Sequence, residues 1–176
     1  MQTASLLALA LVATLSTAPA LAAERANAQL VDRQGTTVGQ ATLSESPHGV
    51  LIHVSAKGLP PGPKAIHIHS VGSCDDGAAG FVASKGHLNP AAKPHGLMNP
   101  EGPDAGDLPN LFVHADGSVE AEFFTTFASL GGAGGRPAIL DADGAALVIH
   151  ENRDDHATQP IGGAGPRHFC GVIRAG

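Results

Sequence analysis

Residues Gly86 to Pro109 read GHLNPAAKPHGLMNPEGPDAGDLP. Neither a helical nor a β period runs through this stretch, and Gly or Pro interrupts it every few residues. A structureless run of this length is uncommon in a compact domain unless it serves a function. The fold must therefore be built from what flanks it. The stretch also carries His87, His95, Asp104 and Asp107. Imidazole nitrogens and carboxylate oxygens suit a borderline cation such as zinc. Alone, the run is equally a solvated loop with two His and two Asp, so the flanking sequence has to decide.

Just upstream, Ala65 to His69 reads AIHIH, a compact strand signal. His67 and His69 are two apart, so on a strand they point to one face and form a chelating pair. Further upstream, Ala28 to Arg33, Thr37 to Ser44 and Val50 to Ala56 alternate between turns, and Gly58 to Gly62 (GLPPG) breaks the chain. Downstream, Leu111 to His114, Val119 to Phe127, Ala145 to His150 and His168 to Arg174 read as strands. Glu151 to Arg167 is a second polar loop. No convincing helical period extends over ten or more residues beyond residue 22. The expectation is all-β: eight short strands and two long loops in a sandwich or barrel with Greek-key connections.

The 176 residues fit one domain. Residues 1–22 are set apart from it. Leu6 to Leu15 is apolar, has signal-peptide length and is too short to span a bilayer; Ala20-Leu21-Ala22 follows as a small-x-small cleavage pattern. The opening MQTAS lacks Lys and Arg, so only the α-amino group is positive there. The mature domain is expected over 23–176, exported, with no lipidated Cys after the apolar run and no later membrane span. With six Phe and no Trp or Tyr, its core must be mostly aliphatic. A formal charge of −6 argues against nucleic acid and anionic membranes as partners. Two Cys in an exported chain read as one disulfide.

Seven separated segments, AIHIH, GHLNP, PHG, AGDLP, LVIHE, DD and GPRHFCG, follow one another in the order and near-spacing of one family. From about Gln29 to Ile173 the chain resembles the copper/zinc superoxide dismutases of bacterial exported type. The resemblance implies an eight-stranded flattened Greek-key β-barrel and a periplasmic or secreted location. It implies copper on His67, His69, His87 and His150, and zinc on His87, His95, Asp104 and Asp107, with His87 bridging. Asp154 would accept hydrogen bonds from the outer nitrogens of His67 and His95. Cys74 and Cys170 match the family's disulfide. Arg167 stands where the family guides its anionic substrate, and Lys85, Lys93 and Arg153 are further cations on the two loops. The implied reaction turns superoxide into dioxygen and hydrogen peroxide, copper cycling between two oxidation states and His87 delivering a proton to the nascent peroxide. Members are monomers or homodimers.

One position departs from the family. Asp104 stands where a His is usual, and a shorter carboxylate reaches less far. Zinc is expected to bind there more weakly or more slowly than with His. The alternative function is a non-catalytic copper-binding or buffering protein on the same barrel. Arg167 and Asp154 speak against it, because a buffer needs neither; Asp104 speaks for it. The remaining histidines, His48, His53, His114, His156 and His168, are expected to be exposed or hydrogen-bonded rather than ligands.

Overall fold

The computed structural model describes residues 25–176, so the expected signal peptide lies outside the described residues. Nine strands follow in order: β1 Arg25–Val31, β2 Thr37–Ser46, β3 Gly49–Ala56, β4 Gly62–Lys64, β5 Ile66–His69, β6 Leu111–Val113, β7 Val119–Thr125, β8 Ala145–His150 and β9 Arg167–Ala175. Three single-turn 3₁₀ segments are the only helical elements among the described residues.

Alternation explains the first three strands. In β1, Ala26, Ala28 and Leu30 are buried while Arg25, Asn27 and Gln29 face solvent. In β3, Val50, Ile52, Val54 and Ala56 are buried. A one-residue register slip would turn these side chains outward, so the apolar pattern fixes the pairing. Seven strands form one sheet, ordered β5-β8-β9-β1-β2-β3-β7, and all its pairings are antiparallel. Its two edges are linked by β4 and β6, which pair as a separate two-stranded sheet. Strand β4 runs into β5 across Ala65, and β6 leads into β7 through a short turn. This closes the barrel.

All eight expected strands are present. The ninth, β4, begins at Gly62, the last residue of the Gly58 to Gly62 break, and is not one of the expected strands. Its Gly-Pro-Lys has no strand propensity of its own and is held by pairing with β6.

The core is aliphatic, with Leu30, Leu43, Ile52, Ile68, Leu147 and Ile149 fully buried. Strand β8 is buried on both faces. Ala145, Leu147 and Ile149 enter the main core, while Ala146 and Val148 join Phe81 and Cys170 in a smaller cluster. That second cluster lies under the loop of residues 70–110, which covers the outer face of β5 and β8. Cys74 on this loop is bonded to Cys170 of β9, with sulfurs 2.02 Å apart.

Candidate metal centre

The site is built on the covered face of β5 and β8. In β5, Ile66 and Ile68 point to the core, so His67 and His69 point outward under the loop, as their spacing predicts. His150 ends β8 on the same face. A register shift between Ile149 and His150 places Arg167, rather than His168, opposite His150. Such bulges re-aim side chains beside functional sites.

The long loop is stitched to the free edge of β5. Ile68 N–H donates to the Gly106 carbonyl at 2.9 Å, and Leu88 N–H donates to the Ile68 carbonyl at 2.8 Å. Bridges pair His69 with His87 and His67 with Asp107. Gly106 is required here, because a Cβ would run into the Ile68 carbonyl. Backbone pairing thus carries His87 and Asp107 onto the face that already holds His67 and His69.

One half of the centre is four imidazoles. His67, His69 and His150 each offer a nitrogen within 4.8 Å of the others'. The His87 ring centroid is 4.1 Å from that of His67 and 5.4 Å from that of His69. Each ring has one nitrogen occupied. His67 Nε2 lies 2.8 Å from Asp154 Oδ2, His69 Nδ1 is 2.8 Å from the Lys85 carbonyl, and His150 Nδ1 is 3.0 Å from the Gly165 carbonyl. A carbonyl only accepts, so the proton of His69 and of His150 sits on Nδ1. The other nitrogens, His67 Nδ1, His69 Nε2, His87 Nε2 and His150 Nε2, are buried and have no hydrogen-bond partner. One unsatisfied buried polar atom costs about 1–3 kcal/mol. Three of these atoms, on His67, His69 and His150, lie within 4.8 Å of one another, with the His87 ring packed against His67, and such a set fits a metal that prefers imidazole.

Electrostatics agree. Burial lowers His67 to about 4 and His150 to about 3, and pushes His69 well below its usual value. These rings are neutral at neutral pH, the form that binds metal.

The other half is rich in carboxylate. His87, His95, Asp104 and Asp107 each bring a ligand atom within 4.8 Å of the rest. His87 Nδ1 is 2.9 Å from Asp104 Oδ2 and 3.5 Å from Asp107 Oδ1; His95 Nδ1 is 2.6 Å from Asp107 Oδ1. A tetrahedral ion with ~2 Å bonds spaces its ligands by ~3.3 Å. The donor set therefore fits zinc, and Asp104 Oδ2 lies among its ligand atoms. Here burial opposes protonation of the rings but loses. Hydrogen bonds donated to Asp104 and Asp107 raise His87, and those donated to Asp107 and Asp154 raise His95 to about 10. Burial likewise opposes ionisation of Asp107 and Asp154, yet their His partners hold both well below the usual carboxylate range. This half is made to hold positive charge.

Asp154 joins the halves. Its Oδ1 is 3.1 Å from His95 Nε2 while Oδ2 holds His67. Gly162 lies over it with a left-handed φ of 59°, and any Cβ there would overlap Asp154 Oδ1.

A family profile described as "Copper/zinc superoxide dismutase (SODC)" matches residues 37–173. The chain belongs to the copper/zinc superoxide dismutase family. It is 52% identical over 141 residues to "Superoxide dismutase [Cu-Zn]" of Caulobacter vibrioides, covering 80% of each chain. A crystal structure of a SOD-like protein from Bacillus subtilis superposes with a TM-score of 0.77 at 44% identity, covering 83% of this chain and 96% of that one. The Cu/Zn superoxide dismutase from Brucella abortus superposes with a TM-score of 0.67 at 30% identity, covering 86% and 100%. These likenesses agree with the Greek-key barrel expected from the sequence.

The expected site residues of this family member converge. Arg167 lies at the rim, its guanidinium bonded to the Phe81 and Lys85 carbonyls and to Ser84 Oγ. Lys85, Lys93 and Arg153 are exposed on the two loops. Of the other histidines, His48 and His114 are exposed and His53 pairs with Glu120 at 3.1 Å. His156 is closer to the centre than expected. Its Nε2 accepts from Asn110 Nδ2 at 2.9 Å, and its Nδ1 lies 3.4 Å from Asp154 Oδ2. The sequence reading also missed Asn110, Gln159 and the Lys85 carbonyl. None carries a metal-ligand signature; the proximity of Gln159 to His156 in the second loop was the only available hint.

Proposed function

We propose that this chain is an exported copper/zinc superoxide dismutase, with the copper site on His67, His69, His87 and His150 and the zinc site on His87, His95, Asp104 and Asp107. The observation that carries it is the set of three orphaned imidazole nitrogens of His67, His69 and His150 within 4.8 Å of one another, beside His87, whose own Nε2 is buried without a partner and whose Nδ1 is turned to a second, carboxylate-rich half. When bound, copper supplies one-electron redox chemistry and zinc supplies a redox-silent charge. Overall, two superoxide ions and two protons give one dioxygen and one hydrogen peroxide.

The residues around the metals order and protonate. Arg167, fixed by its loop carbonyls, presents a charge that docks an anion at the mouth; a local field of this kind offsets the net −6 of the chain. His87 Nε2 faces the copper cluster and is the atom from which a proton reaches the product. Asp104 and Asp107 set the basicity of His87 from its other nitrogen. Asp154 fixes the rings of His67 and His95. The disulfide ties the loop that carries the Phe81 and Lys85 carbonyls to β9.

Removal of residues 1–22 on export, a mature domain over 23–176 and a periplasmic or secreted location complete the proposal. The formed Cys74–Cys170 bond supports it, because such bonds persist in oxidising compartments. Among the described residues, no helix is long and apolar enough to cross a membrane. The test is His150→Ala. It should lose copper and dismutation while the barrel stays folded; retained activity would remove the copper assignment.

A further inference from the structure

The side-chain amide of Gln159 pairs with the backbone of His95 in both directions. His95 N–H donates to Gln159 Oε1 at 3.0 Å, and Gln159 Nε2 donates to the His95 carbonyl at 2.8 Å. The same turn is held twice more by its neighbours. Met98 N–H donates to the His156 carbonyl at 2.9 Å, and Gly96 packs so closely on that carbonyl that a Cβ would overlap it. His95 lies in a stretch without a strand ladder; Asn99 Nδ2 of its own loop donates to the His95 carbonyl at 3.0 Å, and the opposite loop supplies both Gln159 bonds, including the one to the His95 N–H.

The arrangement is reciprocal. Asn110, at the end of the first loop, pairs with Asp154 in the second. Asp154 N–H donates to Asn110 Oδ1 at 2.8 Å, and Asn110 Nδ2 donates to the Asp154 carbonyl at 2.9 Å. Each loop supplies one amide that fixes the other loop's site residue. Together they bring His95 Nε2 against Asp154 Oδ1 while leaving His95 Nδ1 turned to Asp107.

We propose that Gln159 is a positioning residue for the second metal: it holds His95 in its ligating pose before the ion arrives and sets how slowly zinc leaves. This rests on the zinc site proposed above. Asp155 provides the control. It organises the same turn by accepting from Ala157 N–H at 2.9 Å and Thr158 N–H at 2.8 Å, without bonding His95.

The experiment loads wild type, Gln159→Leu, Gln159→Glu and Asp155→Ala with copper and zinc, then follows zinc release to a chromogenic chelator. Copper content and the absorption bands of cobalt(II) substituted for zinc are read alongside. Gln159→Leu should release zinc about 10–100-fold faster, the range for losing a partner that orients a ligand. Its cobalt bands should shift and its copper should stay. Gln159→Glu keeps an acceptor for the His95 amide but sets an oxygen against the His95 carbonyl, so it should also release zinc faster than wild type. Asp155→Ala should keep the wild-type rate. Hydrogen exchange at the His95 amide, read without any metal, should accelerate in Gln159→Leu. Unchanged zinc release and unchanged amide protection in Gln159→Leu would overturn the proposal. Equal acceleration in Asp155→Ala would overturn it too, because general order in the loop would then explain the effect. A wild type that takes up copper but no zinc would instead remove the zinc reading, and this proposal with it.

Discussion

His69 and Arg167 share one acceptor. The Lys85 carbonyl oxygen lies 2.8 Å from His69 Nδ1 and 2.6 Å from Arg167 Nη2. One loop carbonyl therefore fixes both a copper-site ring and the cation at the mouth. Phe81 holds left-handed backbone at φ 58° and ψ 32°, and Lys85 holds a glycine-like conformation at φ 63° and ψ −149°, at a cost of about 1–3 kcal/mol each. The guanidinium bonds help offset that strain.

Arg167→Ile removes the fork and the charge together. Dismutation should fall by about 10-fold or more through lost focusing of the anion. Copper should remain, because His69 keeps its own bond to Lys85. Arg167→Lys should retain part of the activity, since it keeps the charge but not the two-carbonyl grip. Metal analysis beside the activity assay checks this, and lost copper in Arg167→Ile would make Arg167 structural instead.

Asp104→His tests the one departure from the family pattern. Asp104 Oδ2 reaches His87 Nδ1, and Oδ1 also accepts from Gly106 N–H at 2.9 Å. A longer imidazole should raise zinc affinity, read by chelator competition. Unchanged affinity would take Asp104 out of the ligand set.

Asp154→Asn keeps size but places an N–H where one of two rings needs an acceptor. Loss of such a partner lowers metal affinity by about 10–100-fold. Zinc should be the first lost on dialysis against a chelator, because His95 depends on Asp154 Oδ1 while copper keeps three other rings.

The metal-free protein should be most stable near pH 6.5. His67 and His150 titrate in the fold at about 4 and about 3, against 6.5 when unfolded. The unfolded chain therefore takes up their protons first, and stability falls as pH drops below 6.5. Asp107 and Asp154, lowered by their His partners, add to the loss as pH falls through the carboxylate range. His95 works the other way. Its folded value of about 10 gives stability that is full below 6.5 and lost as pH rises toward 10. Thermal melts of chelator-treated protein across pH 4–10 check this, and a flat profile would contradict it.

Much of the centre was legible in the sequence because its donors are rare residue types at telling spacings. The two-residue gap of His67 and His69 places them on one strand face, and His150 ends a strand whose apolar run marks it as buried. The loop His and Asp stand out by chemistry, and their assignment followed from the family resemblance. Less legible was anything set by partners distant in the chain. Strand β4 forms only because β6 pairs with it. The bulge that sets Arg167 opposite His150 leaves no local mark. Gln159 and Asn110 act on backbone across the two loops, and the Lys85 carbonyl belongs to every residue type alike.

This donor set should hold two different metals in a working dismutase. The direct measurement is copper and zinc content, taken with superoxide dismutation, on mature protein reconstituted with both ions. One copper and one zinc per chain with high activity are expected. Bound copper without dismutation would contradict this and favour a copper-buffering protein on this barrel.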